Sequence, residues 1–165
     1  MSWAGDSPSA RATLRGLEGV HVLVESLRPE VEQAGLTRQQ LQTDVELRLR
    51  LAGIRVLTDE ESRRTPGNPC LYVNVNVMLH SDALAAYSVE VALEQQAALE
   101  IDSSLAIVKT WDVGLIGTVG TARLDSIRNH LRDKIDKFIN AYLSVHPRSA
   151  GNKTPSSTSS RRKAP

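Results

Sequence analysis

Cysteine is almost missing from this chain: one residue in 165. A lone thiol excludes an intramolecular disulfide framework and a cysteine-rich zinc module. Aromatic residues are nearly as scarce, at 4%, so no interleaved set of rings is available to stack on nucleic-acid bases. Charge of one sign is lacking too. Twenty Lys and Arg stand against 19 Asp and Glu, which excludes the bulk basicity of a dedicated nucleic-acid binder. No apolar run approaches the roughly 20 residues a membrane-spanning helix needs. What is present is 41% hydrophobic residues, enough for one domain of this length to bury a core without staples.

The charge balance conceals an asymmetry. Arg148, Lys153, Arg161, Arg162 and Lys163 give the last 18 residues a charge of +5 with no acid. The chain as a whole carries +1, so the remainder carries −4. The tail is otherwise Ser, Thr, Pro, Gly, Ala and Asn, unable to offset the entropy of ordering, and residues 148–165 are expected to form a disordered basic tail. Nucleic-acid contact is expected, if anywhere, through that tail. At the other end, residues 1–15 are expected to form a flexible segment, which leaves a single α/β domain over 16–147. The opening shows no positive start followed by an apolar stretch, so it does not read as a secretory leader, and the cytoplasm is the default compartment.

Within the domain, Val20, Val22 and Val24 alternate with His21, Leu23 and Glu25 as a first strand. Thr37-Arg38-Gln39-Gln40 has the form of a capping box, with Leu36 and Leu41 placed as a hydrophobic staple. Leu41, Val45, Leu49 and Ala52 then recur at helical spacing, and Gly53 stands where a left-handed C-cap belongs. Ile54 to Leu57 reads as a second strand, completing a βαβ unit with parallel strands. Residues 58–69, rich in charge and carrying two prolines, read as a surface loop.

Three alternating runs follow, at 71–80, 87–94 and 105–113, as antiparallel strands with one buried and one wet face. In the third run, Lys109 interrupts the apolar side formed by Leu105, Ile107, Trp111 and Val113. Leu124, Ile127, Leu131, Ile135, Phe138 and Tyr142 form the stripe of a final amphipathic helix, stopped by Pro147. The order β-α-β-β-β-β-α predicts a two-layer α/β (α+β) sandwich: a mixed five-stranded sheet with both helices on one face.

The chemistry-bearing residues do not converge. Cys70 has no local base or positive neighbour to activate it and reads as a small filler. His21, His80, His130 and His146 form no HxH, HxxxH or HExxH pair, so the sequence holds no zinc signature, and no cofactor or catalytic residue is expected. Gly114-Leu115-Ile116-Gly117-Thr118-Val119-Gly120 joins the last strand to the last helix. It is neither a P-loop nor GxGxxG. It reads as a turn in which Gly114, Gly117 and Gly120 release the chain from the sheet, and it is the one candidate for anion or small-molecule binding. The wet face gathers Asn74, Asn76, Glu90, Glu94, Thr110 and Asp112, with Tyr72 and Met78 as apolar spots. That acidic, amide-rich surface argues against nucleic acid and for a protein partner or self-association through the face or an edge strand. A non-enzymatic binding or assembly module is the leading expectation. The alternative is a small-molecule or anion-binding domain, conceivably an enzyme, built on the glycine-rich turn.

Three segments, GLTRQQLQTDVELRLRLAGIRVL from Gly35, PCLYVNVNV from Pro69 and IRNHLRDKIDKFINAYLSVHP from Ile127, resemble a family of small, mostly uncharacterised bacterial proteins. Members often carry export leaders, so the resemblance implies a periplasmic location if a leader precedes this sequence. The element order is also similar, at the level of topology, to the N-terminal domain of TolB and to the activator lipoproteins of penicillin-binding proteins. That likeness transfers no site residues.

Overall fold

The computed structural model describes residues 5–81 and 83–147; the basic tail expected over 148–165 lies outside the described residues. Five strands, β1 (Val20–Val24), β2 (Val56–Leu57), β3 (Cys70–Leu79), β4 (Leu84–Ala98) and β5 (Leu105–Gly120), form one sheet in the order β2-β1-β3-β4-β5. β1 runs parallel to β2 and to β3, whereas β3/β4 and β4/β5 are antiparallel. The mixed sheet and the α+β class agree with the sequence expectation.

Between β1 and β2 lie α2 (Pro29–Gln33) and α3 (Arg38–Leu51). The Thr37 hydroxyl accepts the Gln40 amide at 3.2 Å while the Gln40 side chain accepts the Thr37 amide at 3.2 Å, the reciprocal pair that starts α3. Gly53, at φ +81°, ends it in the left-handed region. Leu36, Leu41, Val45 and Leu49 are all buried. The last strand passes through a 3-10 segment (Thr121–Ser126) into α5 (Ile127–Val145), whose Ile127, Leu131, Ile135, Phe138, Ala141 and Tyr142 are buried. A bidentate pair ties the two long helices side by side: Arg128 donates to Asp44 at 2.8 and 3.0 Å. Arg48 to Asp136, at 2.8 Å, adds a second tie.

One core unites these helices with the inward residues of the sheet, among them Val22, Val73, Val75, Val91, Leu93 and Trp111. Trp111 meets Phe138 of α5 edge-on, with ring centres 5.3 Å apart.

Two expectations are corrected here. The flexible segment expected over residues 1–15 contains α1 (Pro8–Ala12), capped by Ser7, and its Ala10 and Leu14 are core residues. Asp6 anchors it by accepting the Arg11 guanidinium at 2.6 Å and the Trp111 indole N–H at 3.0 Å. The loop expected over 58–69 contains α4 (Asp59–Arg64), started by a second capping box between Thr58 and Glu61. Its three leading acids suit a helix N-terminus, and Arg63 and Arg64 suit its end.

Candidate functional site: the open sheet face and the β5 edge

Alternation in β3, β4 and β5 sends every second side chain away from the helices. Cross-strand register then sets the rows of the open face. Asn74 faces Glu90 and Gly114; Asn76 faces Ser88 and Ile116; Met78 faces Ala86 and Thr118. Toward the other end, Tyr72 faces Ala92 and Asp112, and Cys70 faces Glu94 and Lys109. Of the six polar residues expected to share this surface, Asn74, Asn76, Glu90, Glu94 and Asp112 stand in these rows and Thr110 does not. Asn76 donates to Asn74 at 3.1 Å.

Lys109 is on this face as well, where it pairs with Glu90. The ladder slips by one residue between Leu93 and Glu94, so Thr110 is an extra residue opposite β4. A bulge of this kind inverts the alternation beyond it. Leu105, Ile107 and Lys109 therefore point to the open side, while Trp111 and Val113 point to the core. The expected breach of the apolar side by Lys109 does not exist. The carboxylate of Glu90 beside it holds the Lys109 ammonium above its usual pKa.

The open face is not uniformly polar. Ile116 is 87% exposed and Met78 60%, and Leu23, Leu84, Leu105 and Ile107 are exposed with them. Beyond the last residue of β4 that pairs with β3, β4 and β5 continue together as a two-stranded arm. Its tip carries Leu99 and Ile101, the latter 91% exposed. Among the described residues, β5 is a boundary strand of 16 residues with β4 as its one neighbour. A long boundary strand offers unpaired backbone groups to another chain. β2, at the opposite boundary, is two residues long.

The glycine-rich stretch is corrected by the structure. Gly114, Gly117 and Gly120 form no strand-to-helix turn: all three lie within β5, opposite Glu90, Tyr87 and Leu84 of β4. None has a positive φ. An anion cradle needs converging free amides, and this segment is an extended ladder with an acid beside Gly114. Gly117 has a packing reason instead. A Cβ placed there would sit 2.8 Å from Tyr87 Oη and 3.0 Å from its Cζ. The absent side chain makes room for the Tyr87 ring, which stacks on His130 of α5 at 5.5 Å and shares a 2.6 Å hydrogen bond with its Nδ1. Sequence reasoning read a run of glycines as a break because it had no view of the aromatic ring lying across one of them.

The remaining candidate groups are dispersed. Burial first, then Glu94 and Asp59, push the Cys70 thiol up to about 11, which suits a half-buried filler and opposes a thiolate nucleophile. His21 lies beside the Leu57 carbonyl and His146 stacks on Tyr142. Among the described residues no group of three or more His, Cys, Asp or Glu side chains is placed to hold a metal ion, and no helix is long and apolar enough to cross a membrane. Asp112, singled out from sequence as a face residue, has a contact that sequence did not indicate: it accepts the Gly5 amide at 2.6 Å. No family model, no curated protein and no solved structure matches the chain.

Proposed function

We propose that this protein is a non-enzymatic binding or assembly module whose working surface is the open sheet face together with the β5 edge. The observation carrying this reading is the placement of Leu105, Ile107 and Ile116. Three exposed aliphatic residues sit on the open side of one long boundary strand, beside the acids Glu90, Glu94 and Asp112. Isolated exposed hydrophobics need no explanation, but three on one face of a boundary strand do. The partner best suited to it is an extended protein segment, adding to β5 by backbone hydrogen bonds and selected by the side chains of the open face. The mixture of apolar and acidic groups favours a partner segment that is apolar with basic flanks. The resemblances drawn from sequence, to a family of small bacterial proteins and in topology to small envelope modules, are consistent with this reading.

A photo-crosslinking residue introduced at Ile107 or Met78, and as a control at Arg132 on the outer side of α5, tests the proposal in cells of the source organism. The expected result is a discrete adduct from the first two positions and none from the third. That adduct should weaken several-fold on Glu90→Lys, which reverses charge on the same face. Adducts from Arg132 alone, or adducts indifferent to Glu90→Lys, would overturn the assignment of this surface.

A further inference from the structure

The outer side of β5 is unfinished in three respects. Thr121 donates its amide to the Ala83 carbonyl at 3.2 Å, which fixes the hydrogen-bonding phase of the β4/β5 ladder. The odd-numbered residues from 111 to 119 bond β4, and Asp112, Gly114, Ile116 and Thr118 turn their N–H and C=O groups outward. Among the described residues no backbone group bonds the outer side of Gly114, Ile116 or Thr118. The core is left open along the same stretch: Val113, Leu115 and Val119, on the helical side, pack against it but are only partly buried. On the open side a groove lined by Ser88, Glu90, Asp112, Gly114 and Ile116 has a volume of about 520 Å³, and Gly114 has no side chain to fill it.

A strand that completes both sides at once is aliphatic on its helical face, brings an aliphatic side chain opposite Gly114, and sets no acid against Asp112. β5 meets these conditions itself when it is laid antiparallel to its own copy about a two-fold axis at Leu115. Gly114 is then opposite the partner's Ile116, and Asp112 opposite the partner's Thr118. All of these residues have outward backbone groups, so each pair exchanges hydrogen bonds. Ile116 of each copy lies beside the trough at Gly114 of the other, and the Thr118 hydroxyl faces a carboxylate that has one oxygen on the Gly5 amide. On the helical side Leu115 meets the partner's Leu115, and no like charges are opposed. Moving the axis to Gly114 sets Asp112 against the partner's Ile116. Moving it to Ile116 leaves the trough beside the partner's Thr118 and Asp112 beside the partner's Gly120.

We propose that two copies of this protein pair through β5 in the register centred on Leu115, joining their sheets into one. The inference rests on the reading that the β5 edge is a working surface, and it names a second copy as the partner. β5 is a segment of the kind that reading calls for: small, uncharged and mostly aliphatic from Val113 to Val119, with Lys109 before it and Arg123 after it. A pairing of this length buries less than the roughly 1,200 Å² in total at which standard interfaces begin, so the dimer exchanges, with a dissociation constant in the micromolar range.

Sedimentation velocity of the full chain over a concentration series tests this, and a monomer–dimer equilibrium is expected. Thr118→Pro removes an outward amide from each copy without touching the β4 ladder. It should weaken the dimer roughly tenfold or more, with circular dichroism showing the fold retained. Should it unfold the chain, Ile116→Lys, at a side chain 87% exposed, serves in its place. Single cysteines in a Cys70→Ser background read the register. Leu115→Cys should form an intermolecular disulfide on oxidation, because a non-hydrogen-bonded antiparallel pair brings Cα atoms to about 4.5 Å, and Val113→Cys should not. A chain monomeric throughout the series, a dimer indifferent to the edge variants, or Val113→Cys crosslinking as readily as Leu115→Cys would overturn the proposal. A monomer that still gives an adduct from Ile107 to a different protein would overturn this inference alone and leave the reading of the surface standing.

Discussion

Replacing Gly117 by alanine discriminates between a packing role and a ligand-binding role for the glycines of β5. The added methyl would meet Tyr87 Oη at 2.8 Å, Cζ at 3.0 Å and Cε1 at 3.1 Å, well inside the contact distance of about 3.5–4.0 Å. A side-chain tip can often swing away from such a clash. Tyr87 cannot do so freely, because its hydroxyl is bonded to His130 and its ring is parallel to the imidazole within 3°. Overpacking of this kind costs about 1–3 kcal/mol. Against it stands the gain from removing glycine's backbone freedom in a strand, about 0.5–1 kcal/mol. The net expectation is a loss of about 1–2 kcal/mol, which for a domain of this size lowers Tm by roughly 3–8 °C. Thermal unfolding followed by circular dichroism reads it. The same substitution in a Tyr87→Val background should be neutral or stabilising, since the obstructing ring is gone, and that sign reversal is the coupling expected of two residues in contact. A Gly117→Ala protein as stable as the parent, or a loss undiminished by Tyr87→Val, would refute the packing account.

Two further predictions concern the helices. Asp44 is held below the usual carboxylate range chiefly by its hydrogen bond from Arg128. A carboxyl depressed on folding contributes stability that is complete above its unfolded value near 4 and is lost as pH falls through the folded value. Asp44→Asn should therefore cost about 1–2 kcal/mol at pH 7, screening by solvent at the partly exposed Arg partners included. The gap between the two proteins should close below about pH 4, as Tm measured across pH will show; an equal gap at pH 7 and pH 2 would count against the pair. Leu14, wholly inaccessible to solvent, should cost about 2–5 kcal/mol when cut to alanine, a loss visible in urea titration, whereas a flexible N-terminal segment would leave the midpoint unmoved.

How far the structure was legible in the sequence depended on whether a signal was local. Both ends of α3 announce themselves within a few residues, since a capping box and a C-cap glycine act on neighbouring backbone groups, and the parallel β1/β2 pair follows from the helix between them. α4 uses the same code at Thr58 and Glu61, but high charge and the two prolines that follow it read as a loop. The N-terminal segment was unreadable for a different reason. Its order comes from Asp6 meeting Trp111, 105 residues away, and no window on the sequence contains both partners.

The open face lies between these cases. Its five polar residues follow from period-two alternation, but its apolar string depends on one inserted residue. With a regular ladder, Leu105 and Ile107 would belong with Trp111 beneath the helices. The extra residue at Thr110 turns them outward and brings Lys109 to Glu90. The bulge is itself supported, because Gln95 donates to the Thr110 hydroxyl at 2.8 Å and to the Thr13 carbonyl at 3.1 Å. One residue's register slip thus converts what reads as an interrupted core strand into a boundary strand with exposed aliphatics. A bulge leaves no mark in composition or periodicity other than a misplaced charge, and Lys109 was that mark.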